Sequence, residues 1–241
     1  ESGRFIANSS SSVNGFTNGW SSSIELGDEL WAFVPHDNLP HLAWLACNGT
    51  ATDPSVCRDA EYTHVYYVDQ RPKVTDARIF SDDTDHPGGW GTILIMGMRL
   101  GGGAINVDLN ADGDTADAGE QSFRSAFYVF DITNPENPPK LLWRFYDSGL
   151  GFTTSYPAIV KVCSDPTTSE TCKNTEKWYM VVGSGPKNET GTNNMDYGGS
   201  STTQTGKIYV VDLLTSAAHI FTNAGVNNSG ASLASNAFMG D

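Results

Sequence analysis

At 241 residues the chain is long enough to bury a sizeable core, as one large all-β domain or two smaller ones. A net charge of −14, from 28 acidic against 14 basic side chains, excludes the basic clusters that nucleic-acid phosphates or an anionic membrane surface require. Charged residues are only 17%, while 25 Gly and 11 Phe, 9 Tyr and 6 Trp favour strands and turns over helices, and no apolar run approaches the roughly 18 residues of a membrane span.

In chain order, GRFIANSS and ELWAFVP (29–35) read as remnants of one antiparallel unit, and the NSSSSVNGFTNGWSSS between them reads as flexible loop. HDNLPHLAWLAC (36–47) is the helical candidate, a short helix carrying Leu42, Trp44 and Leu45 that Asp37 or Asn38 can cap. Four β-type runs follow, bounded by Gly, Pro, Asn and Asp: TDARIF (75–80), GWGTILIMGMRL (89–100), SAFYVFDIT (125–133) and PKLLWRF (139–145). The same order then returns as PAIVKV (157–162), KWYMVVGSG (177–185), GKIYVVDLLT (206–215) and SAAHIFT (216–222).

FYVFDIT and IYVVDLLT share one pattern: an apolar, aromatic-bearing strand, then Asp, an aliphatic residue and Thr. Repeats of four antiparallel strands mark propeller blades, and a spacing of about 80 residues, above the usual 40–50, implies long loops between second and third strands. The expected fold is therefore an all-β propeller segment of four-stranded antiparallel blades. A partial blade, long loop and short helix occupy 1–73, one blade spans 74–145, a second spans 157–222, and SNAFMGD within 223–241 starts another. Two blades cannot close a ring, and Glu1 opens the chain with neither a start methionine nor a signal peptide, so it reads as a processed or truncated piece.

The four cysteines form two local pairs, Cys47 with Cys57 and Cys163 with Cys172, neither with C-x-x-C spacing. Of the three possible pairings, the simplest closes two short surface loops and implies an oxidising compartment. Each such bridge stabilises by about 2–3 kcal/mol on loop-entropy grounds. The alternative is four unpaired thiols in a reducing compartment.

DLNADGDTADAGE, residues 108–120, holds five carboxylates and one carboxamide. With Asp108 at position one of an EF-hand-type loop, Asn110 takes position three, Asp112 five, Gly113 the turn at six and Asp114 seven. Alternate hard oxygens before a turning glycine suit calcium, which takes six to eight such ligands. The second half departs: Gly119 stands at position twelve, and Glu120 falls one residue late. Asp117 is the first choice for the closing carboxylate and Glu120 the second. The competing reading is a solvated acidic loop.

Other candidates carry less. SDDTDHPGG, with Asp82, Asp83, Asp85 and His86, reads as a turn rather than a second divalent site. His36, His41 and His64 lack metal-ligand spacing, and Ser155 lacks a G-x-S-x-G elbow. Tyr128, Trp143, Trp178 and Tyr209 alternate within strands as blade-packing residues.

Taken together, ELWAFVPHDNLPHLAWLA, HVYYVDQRPKVTDARIF, GGWGTILIMGMRLGGG, FDITNPENPPKLLWRF, LGFTTSYPAIVKV, WYMVVGSGP and GKIYVVDL resemble, in order, the C-terminal propeller of the PilY family. These are type IV pilus biogenesis factors and pilus-tip adhesins of Gram-negative bacteria. The resemblance runs from about residue 29 to the end, and residues 1–28 depart from it. It implies a propeller of roughly seven blades and a compact EF-like calcium loop without flanking helices. The matching ligands are Asp108, Asn110 and Asp112, with the Asp114 backbone carbonyl as a fourth. It further implies a non-enzymatic, secreted or surface-exposed protein reached through the periplasm, with minor pilins or other pilus-tip subunits as partners. In such proteins calcium occupancy biases pilus extension against retraction, and the surface serves attachment. The enzyme alternative is a quinone-dependent dehydrogenase, whose blade strands GKIYVVDLLT also resembles, but this chain has no adjacent Cys-Cys pair to stack on a quinone ring. A metal-free lectin-like or scaffold propeller is the third reading.

Overall fold

The computed structural model describes residues 3–7, 30–46, 66–103, 105–108, 120–135, 137–163, 172, 175–186 and 206–222. Within them the chain is all-β, with two four-stranded antiparallel sheets, two two-stranded ones and short 3₁₀ segments. No described helix is long and apolar enough to cross a membrane.

The opening strands β1 (Gly3–Ala7) and β2 (Trp31–Pro35) pair antiparallel, from Gly3 opposite Pro35 to Ala7 opposite Trp31. The first four-stranded sheet contains β3 (Lys73–Arg78), β4 (Trp90–Met96), β7 (Phe127–Asp131) and β8 (Lys140–Phe145), neighbouring in that order. Between β4 and β7 the chain leaves the sheet for a hairpin, β5 (Ile105–Asp108) and β6 (Glu120–Phe123). The second four-stranded sheet is an up-and-down meander of β9 (Ala158–Cys163), β10 (Glu176–Gly183), β11 (Lys207–Asp212) and β12 (Ala218–Thr222).

Side-chain alternation sets which face each strand buries. In β4, Gly91, Ile93 and Ile95 are buried while the residues between them are half-buried, as a period of two requires. Strand β7 is buried on both sides, and its successive side chains divide between two cores. Phe127 and Val129 join Ile93, Ile95 and Phe145 against Met180, Val182, Tyr209, Val211 and Leu213 of the second sheet. Tyr128 and Phe130 face the other way, with Met98 and Ala126, and Phe33 of β2 packs on them. The first four-stranded sheet thus lies between β1–β2 and the second sheet, layered as neighbouring propeller blades are.

Polar links cross the same boundaries. Trp143 Nε1 donates to the Leu213 carbonyl at 2.9 Å, and Gln70 Nε2 donates to the carbonyls of Thr153 (2.6 Å) and Ser155 (3.0 Å). The segment expected as a short helix is a 3₁₀ helix, His36–Ala46, with Pro40 inside it. A proline there has no N–H to give and crowds the preceding turn, which disfavours a regular α-helix. Asp37 and Asn38, expected as caps, make tertiary contacts: Asn38 Nδ2 donates to the Tyr67 carbonyl at 3.0 Å, and Asp37 is buried against the first sheet. Leu42 is exposed, and the side chains of Trp44 and Leu45 lie outside the described residues.

Candidate functional site

The hairpin β5–β6 frames the acidic loop. Its register pairs Ile105 with Phe123, Asn106 with Ser122, Val107 with Gln121 and Asp108 with Glu120. The first ligand position read from the sequence and the last carboxylate considered there therefore stand directly across one strand pair. Sequence alone reads 101–124 as a single inter-strand loop, whereas the structure gives that loop an antiparallel base. Asn110, Asp112, Asp114 and Asp117, and the side chains of Asp108 and Glu120, lie outside the described residues.

The base of the hairpin is held on several sides. Phe123 is buried, and the His36 ring stacks on it with centroids 4.9 Å apart. Buried Ser125 donates its hydroxyl to the carbonyls of Gly101 (2.8 Å) and Gly102 (2.6 Å). His41, fully buried, places Nε2 3.2 Å from the Gly103 carbonyl, and burial holds its pKa below the usual value. Gly101 is needed at this crossing: a Cβ there would lie 1.9 Å from the Tyr67 carbonyl oxygen. The approach to the loop is thus fixed by packed backbone.

Beside this base lies a buried charged cluster. Asp37 accepts hydrogen bonds from the Tyr128 hydroxyl and from Arg144 Nη1, at 3.2 and 3.1 Å to its two oxygens. Burial, then the Asp37 charge and hydrogen bond, drive the Tyr128 pKa far above its ordinary value. The phenol stays protonated and donates, so the cluster serves as a lock.

The second sheet repeats the lock. Tyr209 donates its hydroxyl to Asp147 Oδ1 at 2.8 Å, and Lys207 Nζ lies 3.3 Å from the same oxygen. Burial acts to raise the Asp147 pKa, but the Gly149 N–H, Tyr209 and Lys207 together hold it below the usual carboxylate value. Phe33 meets Tyr128 edge-on at 5.4 Å, and Phe145 meets Tyr209 edge-on at 5.3 Å. The sequence signal is an Asp shortly after Trp-x-Phe, in LWAFVPHD and in LLWRFYD, which sequence reading passed over.

SDDTDHPGG forms the turn between β3 and β4, as expected. Asp82 accepts from the Gly88 N–H at 2.8 Å, and Asp83 accepts from the N–H groups of Asp85 (2.9 Å) and His86 (2.7 Å). The His86 ring stacks on Phe80 at 4.0 Å and lies 2.9 Å from both Asp83 Oδ1 and Asp131 Oδ2. Among the described residues, no group of three or more His, Cys, Asp or Glu side chains is disposed to hold a metal ion.

Ser155 is buried; its hydroxyl accepts from the Gly183 N–H at 3.0 Å, a structural use. Tyr128 and Tyr209 are fully buried, and Trp143 and Trp178 pack half-buried against the core, as blade-packing residues do. Cys163 and Cys172 form a disulfide across the β9–β10 connection, with Cα atoms 5.2 Å apart. Cys47, Cys57 and His64 lie outside the described residues.

No protein-family description matches the chain, and no solved structure matches it. It is 29% identical over 139 residues, 56% of its length, to a protein of Xylella fastidiosa (strain Temecula1 / ATCC 700964) described as a type IV pilus biogenesis factor PilY1 homolog. The matched stretch is 7% of that protein, so the chain spans a small fraction of the relative's length. The chain thus has a distant similarity, over about half of its length, to part of a protein described as a type IV pilus biogenesis factor homolog.

Proposed function

We propose that this chain is a non-enzymatic, calcium-binding propeller segment of a type IV pilus assembly and adhesion factor, working at the cell surface beside minor pilins or other pilus-tip subunits. The similarity to the PilY1 homolog carries the assignment. The Cys163–Cys172 disulfide supports passage through an oxidising compartment such as the periplasm.

Calcium is the ligand we assign to the loop over 108–120. Like-charged residues opposite one another destabilise a strand pair, and the hairpin closes on Asp108 opposite Glu120. A divalent cation offsets that repulsion and gives a loop rich in carboxylates a reason to close. Asp108, Asn110 and Asp112 would supply side-chain oxygens and Asp114 its carbonyl, with Asp117 or Glu120 completing the set. What the cation supplies is order: the hairpin's base is already fixed, and binding rigidifies its tip.

Calorimetric titration of the purified chain with calcium tests the site. Binding heat should appear and be lost in both Asp108→Ala and Asp112→Ala; heat unchanged by both substitutions rejects it. The pilus role is tested separately, by introducing Asp108→Asn with Asp112→Asn in the producing strain. Lower pilus number or reduced twitching is expected, and unchanged piliation separates calcium from that role.

A further inference from the structure

The boundary between the two four-stranded sheets also holds an open cleft, at the end of the first sheet where β3 leaves at Arg78 and β4 enters at Trp90. The acidic hairpin departs beyond Met96, at the other end of β4. The cleft has a volume of about 290 Å³ and is lined by Arg78, Phe80, Gly88, Gly89, Glu176 and Leu214, so both sheets contribute walls. Gly89 (φ 79°) is required there, because a Cβ on it would lie 2.7 Å from the Phe80 carbonyl oxygen.

The polar groups of this cleft are only partly used. The Glu176 side chain is 6% exposed, with Oε2 3.5 Å from Lys161 Nζ and Oε1 3.8 Å from Arg78 Nη1. The second distance exceeds a hydrogen bond, and among the described residues nothing donates to that buried oxygen. A buried acceptor left without a donor carries a cost that a ligand donor removes. Arg78 is anchored by donating Nε to the Gly88 carbonyl at 2.8 Å, and Asp82, on the same wall, accepts from the Gly88 N–H. Glu176 and Asp82 balance Arg78 and Lys161 in charge, so neither a cation nor an anion gains from the net field. A neutral group that donates and accepts at once does gain: a hydroxyl can bridge the pair, donating to the Glu176 carboxylate and accepting from the Arg78 guanidinium.

Apolar surface flanks these groups. Leu214 is 65% exposed, and Trp90, 43% exposed, lies beside Gly88, whose Cβ would stand 3.9 Å from Trp90 Cδ1. The Trp90 ring is held edge-on to Trp178 with centroids 5.7 Å apart. We propose that the cleft binds a neutral saccharide through a single sugar ring, whose adjacent hydroxyls bridge Glu176 and Arg78 and whose C–H face packs on Leu214 and Trp90. Its volume stands at the lower end of small-ligand pockets, about 300 Å³, which suits one ring, whereas an extended peptide needs a long groove or a free strand edge. The inference is independent of calcium binding and of the pilus assignment.

Saturation-transfer NMR on the full chain, in chelator, tests the site with millimolar glucose, galactose, mannose and N-acetylglucosamine. An acetylated lysine amide and a short neutral peptide serve as rival ligands. Transfer to the ring protons of at least one sugar is expected, with none to the lysine or the peptide. Glu176→Gln should weaken sugar binding at least about tenfold, as losing a hydrogen bond to a charged group does. Leu214→Trp changes an exposed position, so it should abolish binding by filling the cleft while leaving Tm unchanged; it decides the matter even where Glu176→Gln fails to fold. Three results overturn the proposal. One is no transfer to any of the four sugars. Another is sugar binding that persists in Leu214→Trp. The third is transfer to the lysine or the peptide in place of the sugars, lost in Leu214→Trp, which assigns the cleft to a protein partner.

Discussion

The lock around Asp37 shows how much a single buried carboxylate decides. Its side chain is 4% exposed, and it is held by Arg144 and by the Tyr128 hydroxyl from an adjacent strand of the first sheet. Removing the carboxylate strands a guanidinium beside a buried phenol, whereas removing the hydroxyl leaves the ion pair in place. Asp37→Ala should therefore cost about 3–5 kcal/mol, as for other broken buried pairs. Tyr128→Phe should cost about 1.5–3 kcal/mol, the range for a hydrogen bond to a charged group. Chemical denaturation of the three proteins checks the order; equal losses would mean that packing, and not charge, sets the site's stability. Sequence reading identified Tyr128 and Tyr209 as packing residues because alternation places them inward. It could not name their partners, since Asp37 lies 91 positions from Tyr128 and Asp147 lies 62 from Tyr209. Burial is a local pattern; a tertiary hydrogen bond is not.

At the scale of elements, the turn between β3 and β4 is tied to the end of β7 through one imidazole. Burial acts to lower the His86 pKa, but the hydrogen bonds and charges of Asp131 and Asp83 outweigh it and raise the pKa above 6.5. A raised folded value means that His86 stabilises the fold fully below 6.5 and progressively less as pH climbs through the raised value. For Asp83, hydrogen bonds to His86 hold the pKa below 3.8, so its contribution is present above 3.8 and lost as pH falls through the lower value. Thermal unfolding followed across pH should thus show Tm falling on the alkaline side of 6.5, with His86→Gln flattening that limb. An unchanged limb in the variant would assign the fall to another group. The same scale separates what was legible from what was not. The eight strands of the two larger sheets were readable as short β-type runs bounded by turn residues, although β3 (Lys73–Arg78), which holds no apolar run, begins and ends two residues before the 75–80 expected for it. The hairpin β5–β6 was not, because INVD and EQSF are four residues each and alternate too briefly to stand out. Nor does composition show that a segment containing Pro40 winds as 3₁₀. For the candidate site, the spacing from Asp108 to Asp114 on which the calcium proposal rests is a property of the sequence, and the base that brings Asp108 opposite Glu120 came only from the fold.

For the molecule as a whole, stability rests on layers that bury one another's faces. The two four-stranded sheets share one core, in which Ile93, Ile95, Phe127 and Val129 of the first join Met180, Val182, Tyr209 and Val211 of the second, while Tyr128 and Phe130 on the first sheet's other face form a separate cluster with Phe33 of β2. Phe145 sits at that boundary, 7% exposed, edge-on to the Tyr209 ring. Cutting it to alanine removes a large apolar side chain from a site where two sheets meet, so the cavity cannot collapse without moving a sheet. Phe145→Ala should cost about 3–5 kcal/mol, while Val74→Ala, at a position 53% exposed, should stay within about 0.5 kcal/mol. A shared core also couples the layers, because an opening that exposes one face exposes the other. Hydrogen exchange in the Phe145→Ala protein should therefore accelerate together in β3–β4–β7–β8 and in β9–β12. Acceleration confined to one sheet would show two units that fold apart and merely touch, and the layered core would then not be the source of stability.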